Sequence, residues 1–203
     1  MKSKSKFFLC LTYIAFLLCL LPVAIFTYKH PAYNFDMLGY MAHVVRMDQS
    51  RSINEVHTIT YSQARQFVPA EEYIKLTSIP SFREKFATDP GQFKKLLPIY
   101  VVKPLYIWMS WLFYKSGLSL PAATVMPSII SYLIIGLCLL HWLRKYLANR
   151  LAFLGGLLVM FSLFMVAVAG LSTPDCLSAL FLFLSAYFIL ENQNLAAMFF
   201  FFL

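Results

Sequence analysis

Four long apolar stretches limit what this chain can fold into. They cover residues 7–27, 121–142, 151–171 and 177–190, and a further apolar run begins at residue 196. An α-helix rises 1.5 Å per residue, so about 20 apolar residues cross the roughly 30 Å hydrocarbon core of a bilayer. Hydrophobic residues make up 60% of the chain and charged residues only 13%, which excludes an ordinary soluble domain. The sequence therefore predicts an all-α, polytopic integral membrane protein.

The basic N-terminus predicts how the first span is oriented. Lys2, Lys4 and Lys6 precede the first apolar stretch, and positive charge flanking a span favours the cytoplasmic side. The stretch is long enough to span and lacks a clear small-x-small cleavage site before Tyr28, so we interpret it as a retained helix and not as a signal peptide. Residues 1–27 are thus expected to form a cytoplasmic N-terminus and the first transmembrane helix.

The largest polar region follows this span. Residues 28–98 hold seven of the nine acidic residues, which favours the external side of the membrane. Within this region, residues 35–48 have the periodicity of an amphipathic helix, whose one face is shared by Asp36, Tyr40, His43 and Met47. Residues 49–95 are expected to form short helices and turns, interrupted by Pro69, Pro80 and Pro90.

Residues 99–117 decide the topology. Counted from Pro104 as a first helical residue, about 13 residues remain, which gives ~20 Å of helix and is too short to cross. If this stretch did cross, the loop that carries Arg144, Lys145 and Arg150 would lie outside, against the positive-inside rule. We therefore predict an interfacial helix, an external loop of amphipathic juxtamembrane helices over residues 28–120, and a transmembrane bundle over residues 121–203.

Two acids and a lysine are candidates for chemistry under this layout. Asp36 and Asp175 would both emerge at the external membrane surface, with Lys103 in the same layer. A carboxylate can accept a proton from a hydroxyl or amine, and a lysine can hold a phosphate as a point charge. Each of these residues also has a purely structural interpretation. Asp36 could be a first-turn acid that the helix N-terminus stabilises, in a helix capped by Asn34. Asp175 could cap the next helix, and Lys103 could snorkel to lipid headgroups.

Three short motifs occur in a recognisable order. An Asp-x-x-x-Tyr pair (Asp36 and Tyr40) follows the first span, Lys-Pro-Leu-Tyr-Ile-Trp occupies 103–108, and Ser-Thr-Pro-Asp-Cys-Leu-Ser-Ala-Leu-Phe occupies 172–181. This order resembles the N-terminal part of the GT-C membrane glycosyltransferases, in the branch of the protein O-mannosyltransferases and the bacterial lipid A aminoarabinose transferase. Residues 49–95 match no motif of that family.

The resemblance implies roles for individual residues. Asp36 would be the catalytic base or the acid that orients the acceptor, Lys103 would contact the phosphate of the donor, and Tyr40 and Asp175 would line the substrate site. Many family members carry a second acid directly after the first; here Met37 stands in that position, so no metal is expected there. No cofactor motif is present in the sequence.

The predicted function is therefore transfer of a sugar from a polyprenyl-phosphate donor to an acceptor at the external face of a bacterial inner (plasma) membrane, as part of cell-envelope synthesis. The family has many more spans, and this chain ends inside an apolar run, so we expect a fragment or a product completed by a further chain. The alternative is a non-catalytic assembly or lipid-handling subunit, or an inactive fragment of such an enzyme.

The remaining composition adds no other function class. The net charge of +8 is concentrated in runs that flank the spans, so nucleic-acid binding is not needed to explain it. Cys10, Cys19, Cys138 and Cys176 show no metal-ligand spacing and read as small buried hydrophobic side chains. The expected partners are a polyprenyl-phosphate sugar and membrane lipid.

Overall fold

The protein is helical in the computed structural model, which describes residues 2–48, 51–78 and 81–202. These residues form twelve α-helices and one short 3₁₀ helix (Ser81–Arg83), with no strand among them. The all-α prediction is confirmed. The α-helices are α1 Lys2–Lys29, α2 Phe35–Asp48, α3 Ile53–Phe67, α4 Ala70–Thr77, α5 Glu84–Thr88, α6 Pro90–Tyr100, α7 Pro104–Lys115, α8 Leu120–Leu143, α9 Asn149–Met160, α10 Leu163–Ala169, α11 Asp175–Leu190 and α12 Asn194–Phe201.

Several of these helices have the length and composition of membrane spans. In the described residues, two helices, α1 and α8, are long and apolar enough to cross a bilayer, and the number rises to four if each of two bent helix pairs is one span. The bent pairs are α6 with α7 and α9 with α10, and α11 is a shorter apolar helix. The protein is therefore a polytopic membrane protein, as the sequence predicted.

Helix α7 begins at Pro104, the residue chosen from the sequence. Proline suits the first helical position because the N–H it lacks has no intrahelical partner there. The chain direction bends by 116° between α6 and α7, so the two helices do not form one straight span. The 12 residues of α7 are ~18 Å long. This geometry is consistent with an interfacial α7, whose position in a membrane stays a prediction.

The stretch 151–171, expected as one span, is broken. Helices α9 and α10 bend by 63° at Phe161 and Ser162. Ser162 Oγ accepts a hydrogen bond from the Met165 backbone N–H and caps α10, while the hydroxyl of Tyr132 donates to the Met160 carbonyl at 3.1 Å. Side chains thus satisfy backbone groups that the break exposes, and hydropathy alone did not reveal it.

The chain forms two compact units. The first contains Met1–His30, Ile129–Gly170 and Asp175–Leu203, and the second contains Pro31–Ser128 with Leu171–Pro174. In the first unit, α1 packs against α9 and α10. A Cβ atom added at Gly136 would lie 2.5 Å from Leu20 Cδ1, so glycine allows the close approach of α8 to α1.

Helix α2 is the centre of the second unit. It packs against α3, α6 and α7, and every residue from Met37 to Val45 is buried. The amphipathic face predicted for this helix is therefore not a single exposed face, because Tyr40 and His43 are buried while Asp36 and Met47 are exposed at its two ends.

The segment after α2 follows its local signals. Ser52 and Glu55 form a capping box at the start of α3, which at 15 residues is longer than the short helices expected here. Pro69 precedes α4 and Pro90 is the first residue of α6, so both prolines interrupt the helical segment, as the sequence predicted. Pro80 lies outside the described residues.

Candidate functional site

Asp36 stands in the first turn of α2. The side-chain oxygen of Asn34 accepts a hydrogen bond from the Met37 backbone N–H at 3.1 Å, so Asn34 caps the helix. The carboxylate of Asp36 is exposed and lies at the positive end of the helix dipole. An exposed acid whose backbone is fixed by a cap can meet a substrate without local unfolding.

Tyr100, the last residue of α6, holds this carboxylate. Its hydroxyl donates a hydrogen bond to Asp36 Oδ1 at 2.9 Å across 64 positions of sequence. Burial of the ring is the largest cause that raises the pKa of the Tyr100 phenol above its ordinary value, and the negative charge of Asp36 raises it further. Tyr100 therefore remains a protonated donor and fixes one carboxylate oxygen.

Tyr40 lies one helical turn after Asp36 and faces the same aromatic cluster. Its ring packs edge-on against Tyr100, at 5.2 Å between centroids, and against Tyr106 of α7, at 4.9 Å. The hydroxyl of Tyr106 donates to the carbonyl oxygen of Thr124. Tyr40 is only 7% exposed, so its ring positions the neighbours of Asp36; contact with a substrate remains a prediction.

Gly39 allows α6 to approach α2 at this point. A Cβ atom added there would overlap the Tyr100 ring, and the Tyr100–Asp36 hydrogen bond depends on that ring position. The glycine thus belongs to the site although it offers no functional group.

Lys103 lies at the corner between α6 and α7, three residues after Tyr100. Its side chain is exposed, and its backbone occupies the position that precedes the first residue of α7, Pro104. Because Tyr100 is fixed to Asp36, the corner that carries Lys103 is tied to the start of α2. The second unit thus contains three of the four predicted site residues, Asp36, Tyr40 and Lys103.

Asp175 is the first residue of α11 in the first unit, and its side chain is exposed. The residues before it belong to the second unit, where Ser128 Oγ donates to the Thr173 carbonyl at 3.0 Å and Leu171 forms an isolated parallel bridge with Ala32. The Thr-Pro-Asp segment is therefore fixed up to its acid, and the role of Asp175 in a common site stays a prediction.

Sequence reasoning missed two residues near Asp36. Tyr100 offered no signal, because its partner is distant in sequence. Arg83 lies with its guanidinium carbon 4.9 Å from the centroid of the Phe35 ring and donates to the Lys75 carbonyl at 2.7 Å. No sequence motif connects either residue to Asp36, so only the tertiary fold reveals them.

A known protein family matches part of the chain. Residues 101–198 match the family model described as dolichyl-phosphate-mannose-protein mannosyltransferase. This match supports a GT-C-like glycosyltransferase segment over residues 101–198. This segment includes Lys103 and Asp175, and the resemblance inferred from the motifs is confirmed for it. No curated protein and no solved structure shows significant similarity to the chain.

The GT-C-like segment covers just under half of the chain and lies after Asp36 and Tyr40. It supports a membrane glycosyltransferase, and the apolar helices support an integral membrane protein. Among residues 2–48, 51–78 and 81–202, no group of three or more His, Cys, Asp or Glu side chains is placed to hold a metal ion.

Proposed function

We propose that this chain is part of a GT-C membrane glycosyltransferase that transfers a sugar from a polyprenyl-phosphate donor to an acceptor at the external membrane face. The observation that carries the proposal is the Tyr100–Asp36 hydrogen bond, which joins the acid of the first motif to the Lys-Pro corner of the GT-C-like segment. Asp36 and Lys103, whose proposed roles are complementary, thus lie in one compact unit.

The proposed step is a displacement at the anomeric carbon. The acceptor hydroxyl or amine forms a bond to that carbon, and its proton passes to the Asp36 carboxylate. The bond between the anomeric carbon and the phosphate oxygen breaks, and the polyprenyl phosphate leaves with that electron pair. Lys103, exposed at the corner, would stabilise the negative charge of the leaving phosphate.

The other residues position this pair. Tyr100 would orient the carboxylate, Tyr40 would support Tyr100 through ring packing, and Asp175 would act as a supporting acid for the substrates. The proposal places the enzyme in a bacterial inner membrane with a cytoplasmic N-terminus, acting on a lipid-linked sugar, and includes a further chain that completes the substrate cavity.

The test is Asp36→Asn in membranes that contain the complete, active assembly. Transfer from mannosyl- and aminoarabinosyl-linked polyprenyl phosphate would be measured separately. Loss of the proton acceptor should lower transfer by about 10²- to 10⁴-fold while the amount of folded protein stays unchanged. Glu71→Gln is the matched control, because Glu71 is an exposed acid in the same unit. Full activity of Asp36→Asn would contradict the assignment and favour a non-catalytic assembly or lipid-handling role.

A further inference from the structure

The C-terminal end of α2 borders two cavities, of which the first is also lined by Val101 and Pro104 at the corner that carries Lys103. The first is an open groove of about 670 Å³ against α7, lined mainly by apolar side chains that include Met47, Leu105, Ile107 and Trp108. Arg46 also lines this groove. We refer to it as the apolar groove.

The second cavity is smaller and positively charged. It has a volume of about 230 Å³ and is lined by Arg46, Arg51 and Lys94 over the apolar side chains of Ile53, Val56 and Leu97. Among the residues that the structure describes, none that lines this pocket is acidic. We refer to this cavity as the basic pocket.

The nearby acid Glu55 is engaged elsewhere. Its carboxylate accepts hydrogen bonds from the Ser52 backbone N–H and hydroxyl, both at 2.8 Å, in the capping box of α3. The pKa of the Glu55 carboxyl is lowered mainly by these hydrogen bonds to Ser52. The positive charge of Arg51 lowers it further by a smaller amount. The capping box therefore keeps this carboxylate beside the start of α3.

Arg46 joins the two cavities, since it lines both. A ligand with an anionic head and an apolar body would fill them together. Guanidinium groups bind phosphate oxygens through paired hydrogen bonds, and lysine adds a point charge. The surface beside the groove is apolar as well: Ile99 and Val102 are 63% and 67% exposed, a pattern typical of a surface that faces lipid.

The distance from Asp36 excludes the reacting phosphate of the donor as the occupant of the basic pocket. Arg46 follows Asp36 by ten positions in α2, which places it ~15 Å further along the helix. The donor phosphate is bonded directly to the anomeric carbon, which must lie beside the acceptor at Asp36. This step rests on the proposed function; the binding site itself does not.

We propose that the apolar groove and the basic pocket bind one anionic phospholipid of the bilayer. Its phosphodiester lies among Arg46, Arg51 and Lys94, and its acyl chains lie in the groove against Met47 and Trp108. Such a lipid fixes the C-terminal half of α2 and the neighbouring α7 to the headgroup layer.

Trp108 provides a direct probe of the groove. The chain has three tryptophans, so Trp111→Phe with Trp142→Phe leaves Trp108 as the only fluorophore of this kind. This variant would be placed in phosphatidylcholine nanodiscs with a minor fraction of a lipid that carries brominated acyl chains. In one sample the brominated lipid is phosphatidylglycerol, and in the other it is phosphatidylcholine. Bromine quenches tryptophan fluorescence on contact. We expect brominated phosphatidylglycerol to quench Trp108 at a much lower mole fraction than brominated phosphatidylcholine does.

Charge variants test the basic pocket. In the single-tryptophan background, Arg46→Gln with Lys94→Gln should lower the preference for phosphatidylglycerol on the order of 25-fold, since each of the two basic residues near an anionic surface contributes about fivefold. The matched control is Arg65→Gln with Lys95→Gln, which removes the same charge from exposed positions of α3 and α6 that line neither cavity. The control should keep the preference.

Equal quenching by the two lipids would overturn the proposal, and so would a preference that survives Arg46→Gln with Lys94→Gln. Two further results would also overturn it. These are loss of the preference in inorganic phosphate at constant ionic strength, and displacement of the phospholipid by polyprenyl phosphate at a lower concentration than the phospholipid. The last two would assign the site to a free anion or to the donor. Helix content by circular dichroism verifies folding, and Lys94→Gln alone, at an exposed position, serves if the double variant unfolds. The assay reads lipid contact and not transfer, so it remains valid if the proposed reaction fails.

Discussion

At the scale of single residues, the contact between Tyr100 and Asp36 combines a buried donor with an exposed acceptor. Tyr100 is 7% exposed, and its ring is held by Tyr40, whereas the Asp36 carboxylate faces solvent. A hydrogen bond to an exposed group adds little to stability, because water replaces the donor easily. The contact therefore matters for the orientation of the carboxylate more than for folding.

Tyr100→Phe tests this distinction. The substitution keeps the ring and removes only the hydroxyl, so we expect transfer to fall roughly tenfold while the free energy of unfolding changes by about 1 kcal/mol or less. Transfer assays and thermal unfolding in detergent measure the two effects. Tyr73→Phe, at a half-buried tyrosine in the same unit, should change neither. A large loss of stability in Tyr100→Phe would assign a structural role to the hydroxyl.

His43 gives the second unit a pH-dependent stability. Its Nε2 donates to the Leu97 carbonyl at 2.8 Å, which requires the neutral tautomer protonated at Nε2 or the cation. Burial, the largest cause, and the charge of Arg46 lower the pKa of His43, although the bond to Leu97 opposes them. The unfolded state therefore binds the proton more tightly than the folded state, and stability falls as the pH drops below the unfolded value of about 6.5.

The expected result is a lower melting temperature at about pH 5.5 than at about pH 7.5, measured by thermal unfolding in detergent. His43→Gln retains an N–H donor that does not titrate, so this part of the pH dependence should disappear. His30→Gln removes an exposed histidine and should leave it unchanged. An identical pH dependence in wild type and His43→Gln would show that other groups cause it.

At the scale of elements, the approach of α6 to α2 depends on a missing side chain. A methyl group at position 39 would overlap the Tyr100 ring, which is buried and also packs edge-on against Tyr40. Such overpacking typically costs about 1–3 kcal/mol, because the buried ring must move.

Gly39→Ala should therefore destabilise the protein by about 1–3 kcal/mol and also lower transfer, since the displaced ring carries the hydroxyl that holds Asp36. Chemical denaturation and transfer assays measure the two effects. Gly155→Ala is the control: its added Cβ would meet only Leu143 at 4.0 Å, so alanine should be neutral or slightly stabilising in α9. If Gly39→Ala behaved like this control, α2 and α6 would not be in close contact.

At the scale of the whole molecule, the distribution of charge predicts the membrane topology. The predicted layout places eight of the nine acids on the external side. Arg144, Lys145 and Arg150 form the loop predicted to be cytoplasmic. Lys145 forms an ion pair with Glu191 at 2.7 Å within the first unit, so the one acid predicted inside pairs with this loop.

A cysteine-accessibility map tests this topology. Asp36→Cys, Lys103→Cys, Leu147→Cys and Asp175→Cys, each in a cysteine-free background, occupy exposed positions. We expect positions 36, 103 and 175 to react with an impermeant thiol reagent from outside, and position 147 to react only after the membrane is opened. External labelling at 147 with internal labelling at 175 would mean that residues 99–117 cross the membrane, and a shared site for Asp36 and Asp175 would then be impossible.

The sequence by itself determined the helical class, the start of α7 and the bounds of α2. Long apolar runs must become helices in a bilayer, because each backbone N–H needs a partner there, and Pro104 marks a helix start through its own backbone. These features depend on residues close together in the chain. The motif order that resembles the GT-C family was readable for the same reason.

Only the tertiary structure decided which residues surround Asp36. Tyr100 is 64 positions away, Gly39 matters through an atom that it lacks, and Arg83 approaches Phe35 from a segment without a recognisable motif. The burial of α2 and the break between α9 and α10 also depend on neighbouring helices. Periodicity predicts that a segment is helical, but the helices that pack against it determine which of its faces remain exposed.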